Sequence, residues 1–131
     1  MTDSNDATSS ILGSIKKSLN IPDGIAVFDP DLIMLINTTF AKLNQMGIGP
    51  SEPFSINDET ATWDQFSEKG LDAMVKTYMY LEVRLVFDPP TASVLTSMEK
   101  KRDELEWRLN VADDELLHVT DEQDGDADDD A

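Results

Sequence analysis

Residues 71–90 read LDAMVKTYMYLEVRLVFDPP, and the fold turns on how their apolar side chains are spaced. Taken three and four apart, Leu71, Met74, Val75, Tyr78, Leu81 and Leu85 line one side of a helix. Taken two apart, Leu81, Val83, Leu85 and Phe87 alternate as in a strand. A strand needs a partner for its backbone N–H and C=O groups, and the chain has no second long alternating run to supply one. The spacing therefore predicts a helix from about Leu71, ended sharply by Asp88-Pro89-Pro90, since proline lacks the amide proton that a helix interior requires.

Working outward from this stretch, every other periodic segment is also helical. Ala92 to about Val111 carries Leu95, Met98, Arg102, Leu105 and Leu109 in one row, with Glu104 and Arg108 as an exposed pair in the favourable i,i+4 order. Upstream, Leu32, Ile36, Phe40 and Leu43 repeat at helical spacing between Asp29-Pro30, expected as N-cap and first helical residue, and a stop at Gly47. A shorter helix bearing Ile11, Leu12, Ile15 and Leu19 is expected after a Ser9 or Ser10 cap, ending near Asn20 to Pro22. Between Gly47 and Glu59 the spacing is irregular and rich in breakers, so a loop is expected, with one short extended piece at Phe54 to Ile56. Thr62 is placed to cap a single turn through Trp63, Asp64 and Phe66. The predicted fold is all-α: a compact bundle of about four to five short helices over 10–112, with a flexible N-terminus at 1–9 and a disordered acidic tail at 113–131.

Charge and composition narrow the function. The 131 residues hold 27 Asp and Glu against 10 Lys and Arg, a net charge of −17 that repels a phosphate backbone. Ten of those acids fall in residues 113–131, which contain no Lys or Arg, and this composition cannot offset the entropy of ordering. There are no cysteines, so disulfides, thiolate metal sites and Cys nucleophiles are excluded. Met1 to Ser10 is polar and acidic where a signal peptide is basic and then apolar, and no apolar run reaches membrane-span length, so the protein is expected to stay in the compartment where it is made.

The side chains that do chemistry are scarce. The single histidine, His118, lies at the edge of the tail with nothing to hold it against a nucleophile. Asp29, Asp31 and Asp88 are accounted for by helix capping. Asp124, Asp126 and Asp128 imitate the opening of a calcium loop but lack its glycine and its closing glutamate. Gly47-Ile48-Gly49 leaves a helix instead of opening one, unlike a phosphate-binding loop. Met34, Met46, Met74 and Met98 fall where core filling is expected. No enzyme is expected, and no cofactor or metal. Trp107 stands off the Leu105 and Leu109 row, on a helix whose own seam is thin. Two readings remain for it: a cover over the preceding long helix, or an anchor for a partner.

One ordered pattern runs through the chain. It comprises Asn37 to Phe40, Leu43 to Pro50, Thr62 to Phe66, Val75 to Tyr78, Val83 to Pro90 and Glu104 to Asn110. This pattern, covering about residues 10 to 112, resembles the head-tail connector family of tailed bacteriophages, the adaptor or head-completion proteins beneath the portal. The resemblance implies a structural virion protein of the neck, assembled in the host cytoplasm. Such a protein joins a ring of about twelve copies, docks on the portal protein after DNA packaging and receives a stopper or tail-completion protein. DNA would pass through the ring without sequence-specific binding, and no membrane is involved. Carried onto this chain, Asp88, Pro89 and Pro90 would form a rigid corner, and Glu104, Trp107, Arg108, Leu109 and Asn110 would lie on the helix that meets the portal or a neighbouring subunit. The acidic tail has no counterpart in the pattern; one expectation is that it repels DNA near the channel. The competing class is an acidic DNA mimic or inhibitor that binds a basic host protein, which the net charge fits and a flexible tail does not.

Overall fold

A computed structural model describes residues 10–22, 24–66 and 72–129, with side chains of the last helix described through Val111. Five helices follow in order: α1 Ile11–Ser18, α2 Asp29–Gln45, α3 Trp63–Phe66, α4 Asp72–Phe87 and α5 Ala92–Asp129. Among the described residues there is no strand, only one isolated antiparallel bridge between Ser10 and Thr62. The predicted bundle is thus observed, and residues 72–87 are helical. The expected flexible N-terminus, 1–9, lies outside the described residues, and so do the side chains of the expected disordered tail, 113–131.

Helix ends follow local chemistry. The Ser10 hydroxyl accepts from the Gly13 amide at 2.9 Å, capping α1. At the other end Asn20 takes a φ of 64°, and the amides of Asn20 and Ile21 return to the carbonyls of Lys17 and Lys16. The same closure ends α2: Gly47 at φ 84° donates to Asn44, and Ile48 donates to Leu43 at 2.9 Å. In this Schellman arrangement Ile48, at 2 % exposure, folds its side chain back onto the core. Thr62 sits before α3 as expected, with Gln65 reaching back to its amide at 3.2 Å, while its hydroxyl donates to Asp64.

The start of α2 differs from expectation by one residue. Phe28 is the N-cap, with a helical backbone and no side-chain cap, and Asp29 is already in the helix. The carboxylate of Asp29 instead meets Lys16 at 2.9 Å, because α1 runs past the first turn of α2 and presents a cation there. Phe54 to Ile56 lies in the expected loop and pairs with no strand. Asn37, on α2, supplies what a neighbouring strand would: its carboxamide accepts from the Ile56 amide at 2.7 Å and donates to the Ile56 carbonyl at 3.0 Å. Asn37→Ala is expected to cost about 1–3 kcal/mol by leaving two part-buried backbone groups unsatisfied, read as a lowered urea midpoint.

The core is formed where α1, α2 and α4 converge. Leu32, Ile36, Phe40 and Leu43 are all fully buried, as the spacing of α2 requires. On α4, Val75, Tyr78 and Leu81 are buried as expected, and so are Met79 and Val83. The last two face a second side, because α4 packs against both α2 and α5. Phe40 is the hub of an aromatic cluster, with Phe66, Phe54 and Trp63 at 4.8, 5.0 and 6.5 Å between ring centroids. Of the methionines expected in the core, Met46, Met74 and Met98 are partly buried against it, but Met34 is 66 % exposed. It sits two residues from both Leu32 and Ile36, which puts it on the reverse face of α2.

Candidate docking surfaces

Polar contacts fix α5 on α4 in an antiparallel register. The Tyr78 hydroxyl donates to Glu106 at 3.0 Å, and Arg102 reaches Glu82 at 3.1 Å. Glu82, with a side chain only 10 % exposed, also receives Lys42 of α2 at 2.9 Å, so one carboxylate joins three helices. This centre was not expected from the sequence, where Glu82 is a lone acid within an apolar run. Apart from these polar pairs the seam is thin: among the described side chains of α5, Leu105 and Leu109 are the buried apolar residues, with Met98 partly buried.

Burial and the neighbouring carboxylates of Glu82 and Glu106 raise the Tyr78 pKa well above its ordinary value of 10.0. Above pH 10 the unfolded chain loses this proton while the folded chain keeps it. Stability therefore falls as pH rises past 10. Thermal melts between pH 9 and 12 should show this decline, and Tyr78→Phe should flatten it; an unchanged slope in that variant would remove Tyr78 as the cause.

The corner between α4 and α5 is braced from within. Arg84 donates through Nε to the Asp88 carbonyl at 2.8 Å and through a second nitrogen to the Tyr80 hydroxyl at 2.9 Å. Asp88 and Pro89 are exposed and Pro90 half-buried. On α5, Glu104 and Arg108 pair at 3.0 Å on the surface, and Asn110, also exposed, donates to the Glu106 carbonyl. Trp107 is 64 % exposed, so it is not a buried cover over α4. Leu109 departs from the rest. It is fully buried and holds α5 to the subunit, so it belongs to the core and not to the outer face.

A second surface was not legible beforehand. Phe28 packs edge-on against Phe87 at 5.3 Å, and beside them Asp31, Met34, Leu35 and Val86 line an open groove between α2 and the last turn of α4. Val27, Val86 and Met34 are 74, 67 and 66 % exposed, so the apolar patch continues past the groove. This patch adjoins the Asp88 corner. Such a patch is a candidate interaction surface.

No group of three or more His, Asp or Glu among the described residues is arranged to hold a metal, and no helix among them is long and apolar enough to cross a membrane. His118 lies outside the described side chains. A family model for phage connector protein matches residues 11–116. The chain belongs to the phage connector protein family. No curated protein and no solved structure matches it. Connector proteins are structural components of phage particles that contact other head or tail proteins. For this connector the two exposed surfaces, the reverse face of α5 and the groove beside the corner, are therefore the places to look for function.

Proposed function

We propose that this connector is the adaptor that joins the portal vertex of a phage head to the tail or stopper, as a ring of about twelve copies that docks on the portal after DNA is packaged. The observation that carries this reading is the exposure of Trp107 on a helix whose described side chains meet the subunit mainly through Leu105, Leu109, partly buried Met98 and a few polar pairs. A large aromatic left mostly exposed, beside an arginine, is the composition of an interface anchor. The corner at Asp88, Pro89 and Pro90 adds a second rigid feature, held by Arg84. Glu104, Arg108 and Asn110 would form the polar rim around Trp107. In this reading DNA passes through the ring without sequence-specific contacts, in keeping with the net charge of −17.

The test is capture by purified portal rings of the parent genome, scored by co-sedimentation and negative-stain microscopy. The expected result is an added ring of density on one end of each portal. Trp107→Ala should reduce capture by roughly 30-fold, the loss of about 2 kcal/mol typical of an aromatic anchor, by loosening the contacts between neighbouring copies of the docked ring, with its thermal melt unchanged. Wild-type protein that never associates with portal rings would contradict the proposal.

A further inference from the structure

We propose that the groove beside the corner receives the Trp107 face of α5 from a second copy of this chain, a head-to-tail contact that rests on the ring reading above and supplies its lateral interface. Trp107 lies two residues from both Leu105 and Leu109, so it stands on the face of α5 turned away from α4. Lys100 lies seven residues, two turns, before it on the same stripe. The groove offers an apolar floor from Phe28, Met34, Leu35, Val86 and Phe87, and its charge is negative: Asp31 lines it, and exposed Asp88 follows Phe87.

Charge selects the occupant. Most cations of the described residues are engaged within the subunit. Lys16 pairs with Asp29, Lys42 and Arg102 with Glu82, and Arg108 with Glu104. Arg84 holds the corner, and Lys76 sits over the Trp63 ring at 5.5 Å. Lys17, Lys100 and Lys101 are exposed and make no ion pair or hydrogen bond among the described residues, and of these Lys100 and Lys101 lie on α5. In an acidic chain, Lys100 thus shares the outer stripe of α5 with the exposed tryptophan, and the apolar groove carries the carboxylate of Asp31 with that of Asp88 beside it. Seating the indole in the groove brings Lys100 toward Asp31 and Asp88. A groove-on-groove dimer would oppose the carboxylates of both copies. Two different patches that complement each other give a heterologous contact, which propagates from copy to copy and closes into a ring when the rotation allows.

The absence of native cysteine makes the contact measurable by crosslinking of the full chain. Thiols are placed at the groove by Met34→Cys and one turn from the anchor by Glu104→Cys, and concentrated protein is treated with a short bismaleimide. The double variant should give a ladder of dimers, trimers and higher species, while each single variant stays monomeric. Adding Trp107→Ala or Lys100→Asp should weaken the ladder at least 10-fold, and Asp31→Lys should restore it in the Lys100→Asp background. Dimers from Met34→Cys alone, a ladder indifferent to Trp107→Ala, or no ladder at all would overturn the proposal. Portal capture is scored on the same proteins: a missing ladder with retained capture removes this contact alone, whereas a ladder without capture removes the adaptor reading and leaves the contact standing.

Discussion

Gly49→Ala is expected to destabilise the protein by about 2–5 kcal/mol, a large share of the roughly 5–15 kcal/mol typical of a domain. Gly49 holds a φ of 96°, in the left-handed region, where an added Cβ costs about 1–2 kcal/mol. That Cβ would also stand 2.8 Å from Cζ of Phe66 and closer still to its Cε1. Phe66 is 4 % exposed and packed on Phe40 and Phe54, so its ring has nowhere to retreat, and overpacking adds about 1–3 kcal/mol. Urea unfolding measures the loss. Phe66→Leu in the Gly49→Ala background should recover the steric part and leave the backbone part. A single variant within 0.5 kcal/mol of wild type would show that the loop moves freely from the core, against the structure.

Phe40→Ala should cost about 3–5 kcal/mol, the range for deleting a fully buried aromatic ring. Its ring joins α2 to α3 through Trp63 and Phe66 and to the loop through Phe54, so the cavity opens where three segments meet. The near-ultraviolet circular dichroism of the cluster should fall along with the unfolding midpoint. Loss of the signal without loss of stability would mean that the cluster is ordered by something other than Phe40. Both substitutions lie far from the proposed surfaces in chemistry as well as in packing role, so they test the subunit independently of its assembly.

The helices were legible because their apolar residues are spaced for one buried face each, and because serine, asparagine, glycine and proline stand at the ends where the backbone needs them. Ser10, Asn20, Gly47 and the Asp88-Pro89-Pro90 corner all act as their residue types dictate. What was not legible depends on distant parts of the chain. Asn37 clamps Ile56 from 19 residues away, a pairing that no local pattern encodes. The neighbours of Asp29 suit it to a cap, but α1 brings Lys16 to it. Met34 fits a helical core pattern only until the phase set by Leu32, Ile36 and Phe40 is applied to it. The groove joins the first turn of α2 to the last turn of α4, and it exists only once the two helices are packed. For Trp107 the sequence left two positions open, and the placement of α4 along the Leu105 and Leu109 row chose the exposed one.

The central claim, that this chain is the adaptor between portal and tail, is tested most directly by electron microscopy of lysates from the parent genome with this gene removed, scoring heads, tails and packaged DNA separately. The expected result is free tails beside tailless heads that package DNA and then lose it. Intact, infectious particles would contradict the claim and would favour an acidic inhibitor acting on a basic host protein.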